Sequence, residues 1–161
     1  MIKCIYEDGK EVPLRHVTVD SIVVREGKLL LIQRGTNYHI EPGKLALPGG
    51  FLDRDEAAAQ GAMREVLEET GYTPLSATLY MIIDTPRLKG DDRQNVAFVF
   101  LTKVGEKVQE PDFEVMGVNW YDLVALPPRK EFGFDHFDMV QHYLNHTRVP
   151  KTLPYFNFGE V

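Results

Sequence analysis

Apolar and polar positions along the chain fall into short β-rich runs, interrupted by one long helical stretch and closed by a second. Residues 17–24 and 29–32 are dense in Val, Leu and Ile, and Arg25-Glu26-Gly27-Lys28 between them has hairpin-turn chemistry. These two runs are expected as a hairpin. The next stretch, residues 35–44, is polar and carries Pro42 and Gly43, which predicts a loop placed to cover a pocket. Over residues 55–70, Ala57, Ala58, Ala62, Met63, Val66 and Leu67 share one side at helical spacing, and Gly71 supplies a left-handed stop. Residues 75–84, 96–104 and 115–121 are rich in β-branched, aromatic and aliphatic side chains and are expected as strands. A second helix is expected over 135–146, with Phe137, Val140, Tyr143 and Leu144 on or near one face. The tail, residues 149–161, has no periodicity. The order of elements predicts an α/β fold, a mixed sheet flanked by helices.

Composition narrows the setting. With 161 residues, 43% of them hydrophobic, and no internal repeat or linker-like segment, the chain is expected to form one domain, 1–161, with a substantial core. The N-terminus turns acidic before any apolar stretch of signal-peptide length, and no later run approaches a membrane span, so a soluble cytoplasmic protein is expected, without a membrane partner. The single cysteine, Cys4, cannot form an intramolecular disulfide and reads as a small apolar strand residue. A net charge of -6 lacks the footprint of a protein that grips a nucleic-acid backbone. A polyanionic substrate must then be held locally, by metal ions or by a small cluster of Lys and Arg.

One stretch concentrates acidic residues with a regular spacing. Glu65, Glu68 and Glu69 stand at i, i+3 and i+4, within an arc of about 100° on one helix face. Like charges at these spacings repel by roughly 0.2–0.5 kcal/mol per pair, so a cation should sit opposite. An anonymous Glu triplet is most often a solvated acidic face. Here the glycine pair Gly49-Gly50 just ahead of the helix lets backbone approach the same site closely. Oxygen ligands clustered on a rigid element suit a hard cation such as Mg²⁺, which bridges to substrate phosphates.

The full pattern is Gly50, five residues, Glu56, seven residues, Arg64-Glu65-Val66, one residue, Glu68-Glu69, one residue, Gly71-Tyr72. It resembles the Nudix box in every fixed position, and a chance match of seven such positions is on the order of one in a million. Tyr72 stands where the family usually has an aliphatic residue, at a packing position. The resemblance implies an α/β/α sandwich with a mixed sheet, and divalent metal, Mg²⁺ with Mn²⁺ as a substitute, bound by Glu65, Glu68, Glu69 and the carbonyl of Gly50. Glu56 would provide either an outer metal contact or structural pairing. Arg64 would orient the box carboxylates, although Glu56 would lie roughly 12 Å away along an ideal helix. The implied reaction is attack of water on a phosphorus atom of a diphosphate. Glu114, in the loop before the strand that holds Trp120, is the candidate general base.

The box does not specify the group attached to the diphosphate. Pro86, fourteen positions after Tyr72, together with Val17-Thr18-Val19-Asp20, Ala46-Leu47-Pro48-Gly49-Gly50-Phe51 and Phe134-Asp135-His136, resembles the ADP-ribose pyrophosphatase subgroup. That resemblance implies a small nucleotide substrate, ADP-ribose, cleaved to AMP and ribose 5-phosphate. The loop usual after that proline is replaced by Arg87-Leu88-Lys89-Gly90-Asp91-Asp92-Arg93. Arg87, Lys89 and Arg93 are candidate phosphate contacts, and Phe51 or Tyr38 a candidate stacking partner for adenine. The alternative enzyme is a Nudix hydrolase of nucleoside triphosphates, including oxidised nucleotides. A nucleotide sensor is disfavoured by the intact glutamate set, and a capped-RNA substrate by the acidic balance. Many relatives are homodimers, so the resemblance also admits a second copy as partner.

Overall fold

The computed structural model describes residues 2–36, 39–84, 94–148 and 155–157. Two strands, β1 (Ile2–Ile5) and β2 (Glu11–Leu14), form an antiparallel ribbon that includes Cys4. There follow β3 (Val17–Ile22), β4 (Val24–Arg25), β5 (Lys28–Arg34), β6 (Leu45–Ala46) and β7 (Gly49–Phe51). Helix α1 (Ala58–Thr70) leads into β8 (Tyr72–Ile83), β9 (Val96–Lys107) and β10 (Val115–Asp122). A single 3-10 turn (Arg129–Glu131), helix α2 (His136–Arg148) and a short β11 (Tyr155–Asn157) complete the order.

The run of residues 17–24 does not form one arm of a hairpin with the run that follows. It breaks at Val23, and its two parts join different sheets. β3 lies in a five-stranded mixed sheet of order β11-β8-β9-β3-β7, parallel to β9 and antiparallel to β7. β4 joins β5 instead, in a four-stranded sheet with β10 and β6. The expected turn survives in this shorter hairpin, where Glu26 and Gly27 both take positive φ, 52° and 75°.

Side-chain alternation explains why β5 reads as an unbroken apolar run. Leu29 and Leu31 pack with Met139 and Val140 of α2, whereas Leu30 packs with Val66 of α1. A strand covered on both faces shows no polar alternation. β3 behaves in the same way: Val19 meets Ala62 of α1 and Ile22 faces the α2 cluster. The two helices therefore cover opposite sides of the strands, giving the α/β/α sandwich.

Helix α1 starts at Ala58 rather than at residue 55. Residues ahead of it are held outside the helix, with Glu56 accepting from Asp53 N–H at 2.9 Å and Gln60 accepting from Ala57 N–H at 2.8 Å. The helix ends as expected at Gly71, with φ 75° and its N–H on Leu67 O at 2.9 Å. The loop after β9 folds over this end: Val108 N–H reaches Gly71 O, and Asp112 N–H reaches Glu68 O at 2.9 Å. Tyr72 packs edge-on against Trp120 and accepts its indole N–H at 2.9 Å, and the Arg25 guanidinium lies over both rings. Its aromatic ring is used in packing, as its position in the box implied.

Candidate active site

A cavity of about 610 Å³ opens where β3, β7, the start of β9, α1 and the start of α2 meet. Its wall carries Gly50, Phe51, Arg64, Glu65, Glu69 and Glu114 from the sequence-derived candidates. His39 and Ile40 border it too, so the loop after β5 does bound a pocket. Arg87, Lys89, Arg93, Tyr38 and Pro86 lie outside the described residues, as does most of the C-terminal tail.

Arg64 is the centre of the acidic face. Its Nη1 donates to Glu65 Oε1 at 2.8 Å and to Glu68 Oε2 at 2.9 Å. Its Nη2 and Nε donate to Glu56 at 2.8 and 3.1 Å, and Nη2 also reaches the Phe51 carbonyl at 3.2 Å. The expected separation from Glu56 assumed one continuous helix. Because α1 begins later, the loop folds Glu56 back over the first turns, and Gly61 leaves the room it occupies: a Cβ there would stand 2.7 Å from Glu56 Oε1. Glu56 is thus paired with Arg64. Arg64 holds its carboxyl below the usual carboxylate range and is itself raised in return.

The three box glutamates have different surroundings. Glu69 is buried and accepts the Gly49 N–H at 2.8 Å; burial pushes its carboxyl well above the ordinary value, which the Gly49 bond only partly offsets. Glu65 is also raised by burial, against the pull of Arg64. Glu68 is turned to Arg64 and is the most exposed of the three, its side chain 41% accessible. Gly50 lies directly against Glu65: a Cβ at that position would come within 2.4 Å of Glu65 Oε1. Any side chain at this position would have to displace that carboxylate.

The donor set suits a hard divalent cation on these grounds. Its atoms are oxygens, Glu69 is buried and Glu65 partly so, and the charge of Glu65 adds to the cost of ionising Glu69. Among the described residues no three acidic, His or Cys side chains gather round one point, and Arg64 spans Glu65 and Glu68. Glu65, Glu69 and the Gly50 backbone are the groups that would hold the ion, with Glu68 beside them.

Several groups in the cavity were not singled out from the sequence. Asp20 is buried on β3, and its carboxyl is pushed up to about 8 by burial and by the charges of Asp135 and Glu65. His136, the first residue of α2, accepts the Leu47 N–H on Nδ1 at 2.9 Å and places Nε2 3.4 Å from Asp20 Oδ1. Burial, aided by Arg34, drives its pKa down to about 3, so the ring is neutral with its proton on Nε2, facing Asp20. Arg34, the last residue of β5, lines the same cavity over the Phe134 ring. Asp20 and Asp135-His136 occur in the segments that resembled the pyrophosphatase subgroup, but nothing in their spacing announced a contact 116 residues apart along the chain. Glu114 is exposed at the rim, on the loop anchored to the end of α1, and its carbonyl accepts the Gly35 N–H at 2.9 Å. Phe51 is 47% exposed, with one side against His16 at a centroid distance of 4.8 Å.

Comparison with known proteins agrees with this architecture. The NUDIX domain profile matches residues 14–143. The ADP-ribose pyrophosphatase of Methanocaldococcus jannaschii is 32% identical over 136 residues, covering 80% of this chain and 72% of that protein. A MutT-like protein of Streptomyces ambofaciens is 37% identical over 115 residues, covering 71% of this chain and 68% of its own. The crystal structure of a NUDIX hydrolase from Nitrosomonas europaea superposes with a TM-score of 0.76 at 23% identity, covering 96% of this chain and 91% of that one, which shows the shared fold. With the box intact, Glu65 and Glu69 of it lining one cavity and the domain profile spanning most of the sequence, the chain belongs to the Nudix family and is a Nudix hydrolase.

Proposed function

We propose that this protein hydrolyses the diphosphate bond of a nucleoside diphosphate derivative in the presence of Mg²⁺, with Mn²⁺ as a substitute, and that its substrate is ADP-ribose. The observation that carries the reading is a cavity of about 610 Å³ that joins the partly buried Glu65 and the buried Glu69 to the half-exposed ring of Phe51. That volume falls in the range of sites that enclose a nucleotide-sized ligand, roughly 300–1,000 Å³. The ADP-ribose pyrophosphatase relative supports the same substrate. The reading takes residues 1–161 as one domain acting in the cytoplasm, with a second copy of the chain as its macromolecular partner and no nucleic acid or membrane.

In this reading water attacks one phosphorus, the bridging P–O bond breaks, and AMP and ribose 5-phosphate leave. The divalent ion, when bound, supplies Lewis acidity at the diphosphate. Arg64 keeps Glu65 and Glu68 oriented, Arg34 offers a positive charge to a phosphate oxygen, and Phe51 stacks the base. Glu114 takes the proton from water at the cavity rim. Arg87 and Arg93 are assigned to phosphate contact from the sequence alone.

The MutT-like relative favours a second reading, hydrolysis of a nucleoside triphosphate. Product analysis separates the two. Purified protein is incubated with Mg²⁺ and a panel of ADP-ribose, nucleotide sugars, dinucleotides and nucleoside triphosphates, and products are identified by mass spectrometry. AMP with ribose 5-phosphate is the expected result; a nucleoside monophosphate with pyrophosphate would replace ADP-ribose by a triphosphate.

A further inference from the structure

The register of the five-stranded sheet brings four side chains onto the cavity face at one end. Thr18 is paired with Phe51 on β7 and with Ala97 on β9, and Asn95, two residues before Ala97, continues the same face. All four line the cavity. Arg15 fixes the backbone that carries the asparagine: its guanidinium donates to Gln94 O and Asn95 O, each at 2.8 Å, and to Asp84 O at 2.6 Å. Asn95 Oδ1 is shielded from solvent and has no hydrogen-bond partner among the described residues. A buried amide acceptor in that state is costly unless a donor satisfies it, and Asn95 belongs to the cavity wall.

We propose that Asn95 is a specificity-determining residue of a nucleobase subsite, with Phe51 supplying the stacking face, and that it selects a 6-aminopurine over a 6-oxopurine. The inference rests on the nucleotide-substrate reading above and adds to it the base and the group that reads it. A carboxamide offers an acceptor and a donor side by side, which matches the amino group and adjacent ring nitrogen of adenine. On the edge that carries N7 a 6-oxopurine presents two acceptors, O6 and N7, where adenine presents its amino donor beside N7, so the Asn95 oxygen stays unsatisfied whichever way the amide is turned.

The test is binding of AMP and IMP, measured by isothermal titration with Mg²⁺ present, because these ligands differ at the 6-position and require no turnover. The wild-type protein is expected to prefer AMP by about tenfold or more. Asn95→Leu is expected to reduce the ratio to near one by weakening AMP. Asn95→Ala, which adds no bulk, serves if the leucine variant has a lowered unfolding midpoint. Equal affinity for AMP and IMP in the wild type, or a preference that survives in a folded Asn95 variant, would overturn the assignment. ADP-ribose turnover is scored separately: preference for AMP without cleavage of ADP-ribose upholds the base subsite and overturns only the substrate.

Discussion

Arg64 and Glu56 are joined by two hydrogen bonds, Nη2 to Oε1 at 2.8 Å and Nε to Oε2 at 3.1 Å, although the glutamate lies ahead of the helix that carries the arginine. The same guanidinium holds Glu65 and Glu68, so one cation compensates three carboxylates before any metal arrives. We predict that Arg64→Ala destabilises the fold by about 2–3 kcal/mol, below the figure for breaking a fully buried pair because the network is part-exposed. Added Mg²⁺ should recover part of that loss by neutralising the same carboxylates. Urea unfolding with and without Mg²⁺ measures both, and a variant as stable as the wild type in the absence of metal would contradict the compensating role.

Glu69→Gln separates charge from packing. The glutamine oxygen can still accept the Gly49 N–H, and removal of a buried carboxylate lifts the burial cost that raises its pKa. Stability should therefore hold or rise, while Mg²⁺-dependent turnover should fall by about a hundredfold or more, as when a group that positions transition-state charge is removed. Full magnesium-dependent turnover in this variant would refute the metal-site assignment.

Gly50→Ala tests the close approach of backbone to Glu65. The new methyl would lie 2.4 Å from Glu65 Oε1 and must displace that carboxylate. The expected outcome is a large loss of kcat with a stability cost of about 1–3 kcal/mol, the range for overpacking. Thermal unfolding and steady-state kinetics on the same preparation check it; unchanged kcat would mean that Glu65 need not stay where the structure holds it.

His136 makes stability depend on pH with a definite sign. Its pKa is pushed down to about 3 in the folded protein, from an ordinary 6.5. Between those values the unfolded chain binds the additional proton, so this contribution is complete above pH 6.5 and is lost as the pH falls toward 3. The slope should approach about 1.4 kcal/mol per pH unit. Asp20 acts in the opposite sense: raised from 3.8 to about 8, it favours the folded state below 3.8, and that contribution is lost as the pH rises through 8. Comparing wild type with His136→Asn, which keeps an acceptor for the Leu47 N–H, isolates the histidine. The wild type should lose stability faster than the variant between pH 6 and about 4 in urea titrations; parallel curves would show that the ring is not held neutral.

The sequence by itself determined the chemistry-bearing helix and the class of fold. Glu65, Glu68 and Glu69 share a face because helical spacing dictates it, Gly71 ends α1 because left-handed backbone favours glycine, and the apolar run over residues 29–32 announced a strand. These are local properties, set within a few turns or residues. The tertiary structure decided how those carboxylates differ: Glu69 buried on the Gly49 N–H, Glu65 under the Gly50 backbone, Glu68 half in solvent beside Arg64. It also decided that residues 17–24 divide between two sheets at Val23, and that Asp20 meets His136 inside the cavity. Periodicity reports which face of an element is apolar, but not which element will cover it. Burial, and with it the ionisation of Asp20, Glu69 and His136, arises only when strands distant in sequence pack together and exclude water from between them.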